Sequence, residues 1–386
     1  MPLGLYISVP FCKQKCTFCN FASGVFSAAK MQAYVDRVCD DIARVHVTAE
    51  QVGGRLEGVV NSVNLRGGTP TVLAPKQMAL LFAAARTQFQ IAAGAEITVE
   101  CAPGTLSDEM LATLIGCGVN RVSLGVQSFV DQESRSVGRT HTRDIVLADI
   151  ERLRLSGITN ISVDLIAGLP HQTLESWERS LDEVISIGVP HVSVYILEVD
   201  DDSRLGRELI AGGQRYHAHE VPSEDIAADL YERAIERLNA AGIAQYEISN
   251  FAKPGFESKH NLKYWLREPY FGFGVDASSM LASRASEQSA VRFTTTDDLD
   301  RYIAGAELAD VQNVGIRQVC EEEMFLGLRL NRGVRGVAVD TNVDSVIEEL
   351  LGEGLLERCK DHVRLTARGR LLSNDVFARF IGVPAH

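Results

Sequence analysis

The sequence predicts an α/β protein: an open, partial (βα)6 barrel followed by a small winged-helix-like α+β module. Two observations carry this reading. Short apolar, β-branched runs alternate six times with helical patterns over the first half of the chain, the signature of a parallel sheet with covering helices. After about residue 200 that rhythm stops, and from about residue 315 a different order of helices and short strands begins. A closed barrel needs eight strand–helix units. Six leave it open, with a doubly wound sheet as the alternative.

The strand candidates are 3–9, 62–66, 96–101, 121–126, 161–166 and 191–197, and the helical patterns lie near 27–47, 75–89, 107–116, 143–155 and 173–187. Pro75 opens its helix at a position where the missing N–H is not needed. Thr105-Leu-Ser-Asp-Glu-Met starts the next helix with acids in the first turn. Gly118-Val119, Gly157-Ile158 and Gly188-Val189 follow helices, where glycine can end them in the left-handed conformation. Ser223 to Ala241 reads as an amphipathic helix. Residues 245–280 are rich in glycine and aromatics and lack periodicity, so they read as long functional loops. The last module reads helix 318–330, helix 340–353, two short strands around 360–362, and helix 367–380. The expected division is a barrel over 1–240, connecting loops over 241–314 and the module over 315–386.

Composition removes several functions. The 386 residues carry 38 Lys/Arg against 51 Asp/Glu, a net charge of −13, which repels phosphate backbones. Winged-helix units often bind DNA, but residues 315–386 hold ten Lys/Arg and eleven Asp/Glu, so no nucleic-acid partner is expected. No N-terminal targeting pattern is visible, and no apolar run approaches the roughly 18 residues of a transmembrane segment. The expected compartment is the cytoplasm, where clustered cysteines mean metal or redox chemistry rather than disulfides. Of eight cysteines, Cys39, Cys101, Cys117, Cys320 and Cys359 are scattered and read as buried thiols.

The other three form Cys12-Lys-Gln-Lys-Cys16-Thr-Phe-Cys19, a C-x3-C-x2-C loop directly after the first strand. Three thiolates this close can hold three irons of a [4Fe–4S] cluster and leave one iron with an open position. Zinc would need a fourth ligand nearby. A Cys16/Cys19 redox pair would leave Cys12 idle. Further along, Gly67-Gly68-Thr69-Pro70 follows the second strand and is either a close-approach loop or a tight turn. Glu100 ends the third strand. Gln127, Arg139 and Asp164 come from successive units and either converge on a pocket or form a structural network, Arg139 pairing with Asp164. His260 and Tyr264 share a helix face, with Trp265 beside them. Lys253, Lys259, Lys263 and Arg267 make that stretch basic in an acidic chain, which favours an anionic ligand; otherwise His260 is a packed core histidine.

Together these motifs resemble a known family. The cysteine loop after strand one of a partial barrel resembles the radical S-adenosylmethionine (SAM) proteins. Gly67-Gly68-Thr69-Pro70-Thr71, Arg121-Val-Ser-Leu-Gly-Val-Gln127, Asp164-Leu-Ile-Ala-Gly-Leu-Pro170 and His260-Asn-Leu-Lys-Tyr264-Trp265 narrow it to the coproporphyrinogen III oxidase-like group, and within it to the haem-chaperone branch, the HemW type. The resemblance implies that Cys12, Cys16 and Cys19 ligate a [4Fe–4S] cluster. It implies that Tyr6, Phe18, Gly67, Gly68, Thr69, Glu100, Gln127, Arg139 and Asp164 surround SAM, and that His260 ligates haem. The family's Asn-Pro pair after the glutamate is Ala102-Pro103 here. It further implies haem or a porphyrin as ligand, a haem acceptor protein, and an electron donor such as a flavodoxin or ferredoxin. The related oxygen-independent coproporphyrinogen III dehydrogenases carry a longer N-terminal extension and a further cysteine two residues after the third. Position 21 here is Phe21, which favours the chaperone branch over the dehydrogenase. A radical SAM enzyme acting on an unrelated substrate is the third reading.

Overall fold

The structure is a computed structural model. It describes residues 1–285, 289–305, 308–335 and 341–381, with the side chains of 341 and 342 left aside. Six parallel strands form its centre: β1 (Leu3–Val9), β2 (Val59–Gly67), β3 (Gln90–Cys101), β4 (Arg121–Gln127), β5 (Asn160–Ala167) and β6 (His191–Ile196), each hydrogen-bonded to the next in this order. The crossovers run through α1 (Ala28–Ala43), α2 (Pro75–Gln88), α3 (Asp108–Gly116), α4 (Arg143–Leu155) and α5 (Leu174–Ile187).

Period-two side-chain alternation decides how the layers meet. On one face Leu3, Leu5, Ile7, Val63, Leu65, Val99, Leu124, Val163 and Val192 are buried and pack with Tyr34, Val38, Leu81, Leu114, Ile150 and Leu181 from the helices. Trp177 of α5 is fully buried, and its indole N–H reaches the Leu230 carbonyl at 2.7 Å. The helix ends follow local chemistry. Ser107 accepts the Met110 N–H at 3.1 Å and caps α3, and Gly188 ends α5 at φ 73°. Ser107→Ala should cost about 1 kcal/mol of stability with an unchanged denaturant slope; a midpoint equal to wild type in urea would refute that role.

Residues 245–280 depart from the expectation of loops. They contain the strands Ala244–Glu247, Asn250–Ala252 and Tyr270–Phe273, the helix Lys259–Trp265, and the start of the strand Ser278–Ser283. Tyr270–Phe273 pairs with β1 in parallel, adding a seventh strand to the parallel set. Beyond it Ser278–Ser283, Ala290–Thr294 and Asp310–Val314 continue antiparallel. At the other edge Asn250–Ala252 runs antiparallel to β6 and to Ala244–Glu247. The segment 241–314 is thus part of the main sheet, not a set of connecting loops. Its strands are too short to show alternation, and Gly272 is required because a Cβ there would collide with the Ser278 carbonyl.

The C-terminal module has its own core of Met324, Leu328, Ile347, Leu350, Leu355, Val363, Val376 and Phe380. Its small sheet is ordered Val334–Arg335, His362–Leu365, Leu356–Cys359. The start of the expected helix at 340 lies outside the described residues; the helix is seen over Thr341–Gly352. The module docks through Arg329, whose guanidinium lies 4.2 Å from the Trp265 ring, and through Glu322, which accepts Arg267 at 2.6 Å and also pairs with Arg292. Among the described residues no helix is long and apolar enough to cross a membrane.

Candidate functional site

The sheet face away from the helices is polar. Register puts Asn64, Thr98, Arg121 and Asn160 in one row, and Ser8 with Arg66 and then Glu100, Ser123 and Ser162 in the row above. The barrel therefore encloses a polar lumen, open where the strands end at their C-termini.

The cysteine loop begins at that mouth, just past Val9. It is closed by the Cys12 N–H on the Gly24 carbonyl (2.8 Å) and the Gly24 N–H on the Pro10 carbonyl (2.9 Å). It is held from outside by the Thr17 N–H on the Val137 carbonyl (3.2 Å), and by Arg204, which donates to the Lys15 and Cys16 carbonyls. Burial raises the thiol pKa values of Cys12 and Cys16, and the three cysteines push on one another electrostatically. Arg139 and Arg204 counter this at Cys16. Among the described residues no three metal-type donors converge on one ion. A cubane takes one thiolate per iron and suits thiols spread along one loop.

The other expected residues fall as follows. Gly67 has φ 114°, and the Gly68 and Thr69 N–H groups donate to the Val9 and Phe11 carbonyls at 2.8 and 2.7 Å. This stitches the glycine loop to the cysteine loop. Phe18 packs beside Val137, Ile166 and Leu169. Tyr6 faces the lumen, its hydroxyl pushed up to about 12 by burial and by Glu100. Glu100 is pushed up to about 7 by burial, with Arg66 and Arg139 opposing that rise and Asp164 adding to it. Asp164 accepts the Ser123 hydroxyl at 3.1 Å on both oxygens, and the Ser162 hydroxyl at 3.4 Å. No Arg139–Asp164 ion pair forms among the described residues. Instead the buried Nε of Arg139 has no hydrogen-bond partner, and its guanidinium lies beside Gln127 over Gly125. Gln127 itself sits at φ 70°. The mouth thus gathers two carboxylates, Glu100 and Asp164, and two guanidiniums, Arg66 and Arg139.

His260 lies at the opposite end. The Lys259–Trp265 helix packs under the N-terminal ends of the strands, where the His260 Nδ1 meets the Ser62 hydroxyl and its Nε2 the Tyr264 hydroxyl, both at 2.9 Å. The ring is fully buried and stays neutral, its pKa pushed down to about 3 chiefly by desolvation. The five residue steps from Gly4 to Val9, at about 3.3 Å each, separate this floor from the mouth by roughly 17 Å. The basic residues around it are already engaged. Lys263 is buried and donates to the Pro2 carbonyl and to Glu268 at 2.8 and 2.9 Å. Lys253 and Lys259 donate to the Gly188 and Gly94 carbonyls at 3.2 and 3.3 Å, and Arg267 is paired with Glu322. Two of these four charges, those of Lys263 and Arg267, are thus paired with carboxylates, and the other two meet only backbone carbonyls. The scattered cysteines divide too: Cys101 and Cys117 are buried, whereas Cys39, Cys320 and Cys359 are half-buried.

Sequence reasoning passed over Arg66, Arg121 and His191. The signal was present as polar residues at every second position of the strand runs: Ser62, Asn64, Arg66; Glu96, Thr98, Glu100; Arg121, Ser123.

A radical SAM superfamily model matches residues 6–184, and a HemN C-terminal domain model matches 317–372. Heme chaperone HemW of Bacillus subtilis is 34% identical over 98% of this chain and 98% of its own length. This chain belongs to the HemW family. HemW of Lactococcus lactis is similar at 33% identity over 98% and 97% of the two chains. Among solved structures, coproporphyrinogen III oxidase (HemN) from Escherichia coli, a radical SAM enzyme, superposes with a TM-score of 0.81 at 25% identity, covering 99% of this chain and 90% of that one. The radical SAM match in this HemW family member runs from β1 into α5. It includes the cysteine loop, Glu100 and Asp164, and leaves out His260.

Proposed function

We propose that this protein is a cytoplasmic haem chaperone that carries a SAM-coordinated [4Fe–4S] cluster and passes haem to an acceptor protein. The observation that carries the reading is the cysteine loop at the mouth of a polar lumen, in a chain alike over its whole length to proteins named heme chaperone HemW. Cys12, Cys16 and Cys19 would each ligate one iron, and SAM would take the fourth. The loaded cluster supplies one-electron reduction, fed by a flavodoxin- or ferredoxin-like donor. Gly67, Gly68 and Thr69 shape the wall next to Cys12, Glu100 accepts SAM hydroxyls, and Arg139 and Gln127 face them. Phe18 and Tyr6 limit water around the bound groups.

The second reading is an oxygen-independent coproporphyrinogen III dehydrogenase, favoured by the close superposition on HemN. Phe21 weighs against it: this exposed side chain stands where the dehydrogenase pattern has a cysteine. One preparation decides between them. The chaperone reading expects saturable haem binding and no turnover of coproporphyrinogen III; ordinary enzymatic turnover would sink it.

Glu100 gives a pH test. Without SAM its carboxyl keeps its proton up to about pH 7. Donor hydroxyls and a sulfonium favour the carboxylate, so binding expels that proton below this pH. SAM affinity should rise by up to about tenfold per pH unit below 7 and level off above it. Glu100→Gln should flatten the profile in calorimetric titrations. A wild-type profile already flat between pH 6 and 8 would reject the contact.

A further inference from the structure

We infer that His141 is a positioning residue for SAM: it pins a bulge in β4 and so holds Gln127 in place beside Arg139 at the mouth. The inference rests on the SAM-coordinated reading and adds to it a residue that contacts the backbone of the site rather than the ligand.

The bulge is visible in the strand register. Gly125 stands opposite Asp164 and Gln127 opposite Leu165, so β4 spends two residues where β5 spends one, and Val126 is skipped. An extra residue of this kind re-aims the side chains that follow it, and it recurs beside active sites. Here it coincides with backbone strain. Gln127 sits at φ 70°, a left-handed conformation that residues other than glycine seldom adopt. The result is that the Gln127 side chain folds back over Gly125. A Cβ on Gly125 would stand 3.1 Å from the Gln127 Nε2 and 3.3 Å from the Arg139 Nη2. The two polar side chains thus share one spot, above a glycine that leaves room for both. The Arg139 Nε is buried there without a hydrogen-bond partner.

A strained residue persists only where its surroundings hold it. The peptide joining Val126 to Gln127 is held by His141, whose Nε2 lies 3.0 Å from the Val126 carbonyl. A carbonyl can only accept, so the Nε2 carries the proton and donates. The ring is buried, and burial together with Arg139 pushes its pKa down to about 4, so it is neutral at physiological pH. The same short stretch of chain also touches the cysteine loop. The Val137 carbonyl accepts the Thr17 N–H at 3.2 Å, and a Cβ on Gly138 would lie 3.7 Å from the Lys15 carbonyl oxygen and 3.8 Å from the Cys16 Cα. Five residues therefore link the cluster loop (Val137, Gly138), the mouth (Arg139) and the bulge (His141). The aim of Gln127 is set relative to the cysteines, where a ligand spanning both would need it.

The test is calorimetric SAM titration of the full-length, anaerobically reconstituted protein. His141→Phe keeps a ring and loses the donor, and it should weaken SAM binding about tenfold. His141→Gln, whose amide can donate from nearly the same place, should restore most of that affinity. A double-mutant cycle separates positioning from general stability. In a Gln127→Ala background, His141→Phe should cost much less than in the wild-type background, because the side chain it aims is gone. Should His141→Phe fail to fold, His141→Asn, whose amide falls short of the carbonyl, takes its place. Wild-type SAM affinity in His141→Phe, or the same loss with and without Gln127, would overturn the positioning role and leave the SAM reading standing. No saturable SAM binding by the wild-type protein would overturn both.

Discussion

Cys16→Ser should take the iron content of anaerobically reconstituted protein from about four per chain to near zero. Cys16 is the middle thiol of the loop and the most buried of the three, 9% exposed. A serine hydroxyl at this site does not ionise near neutral pH and offers iron no thiolate. The backbone should survive the change, since its anchors are main-chain groups: the Thr17 N–H on Val137 and the Cys16 carbonyl under Arg204. Cys101→Ser is the matched control. That thiol lies on β3 beside Thr71 and faces no other cysteine, so iron content should not change. Iron assay and EPR with and without SAM measure both. A Cys16→Ser protein that kept four irons and a SAM-responsive signal would remove Cys16 from the ligand set, and with it the cluster argument.

Gly68→Ala should weaken SAM binding about tenfold or more. A Cβ at this position would stand 2.6 Å from the Phe11 carbonyl oxygen, 2.9 Å from the Phe11 nitrogen and 3.0 Å from the Cys12 sulfur. Two of those three atoms are backbone and cannot rotate away. The loops must part, which strains the hydrogen bonds from Gly68 to Val9 and from Thr69 to Phe11. Overpacking of this kind costs about 1–3 kcal/mol, and every 1.4 kcal/mol is tenfold in affinity. Gly116→Ala serves as the comparison, because a Cβ there meets nothing within 4 Å at the end of α3. SAM titration of both variants should separate them. Equal affinities would show that the glycine loop is only a turn.

The reach of the sequence differed by element. The six parallel strands were visible because each carries enough β-branched residues between helix signals to declare itself. The strand Tyr270–Phe273 was not, since four residues, one of them Gly272, carry no period. Its partners are set by tertiary pairing with β1. At the mouth, the cysteine spacing and the glycine loop were legible because both chemistries demand fixed local order. Arg66 and Arg121 were overlooked because polar residues inside strands look like a solvated face, and only barrel curvature turns that face inward. The basic stretch around His260 was legible as charge, but the partners of two of its charges were not: Glu268 for Lys263 and Glu322 for Arg267.

The outermost strand, Asp310–Val314, has consequences for self-association. Among the described residues its far side pairs with no other strand, so it presents a row of unclaimed N–H and C=O groups to solvent. Such an edge invites another chain to continue the sheet. Here four of its five residues, Asp310, Val311, Gln312 and Asn313, are exposed, and only Val314 is buried. A neighbouring copy that added a strand there would have to dehydrate Asp310, Gln312 and Asn313. The largest sheet of the molecule therefore ends in a rim that water holds better than another protein would.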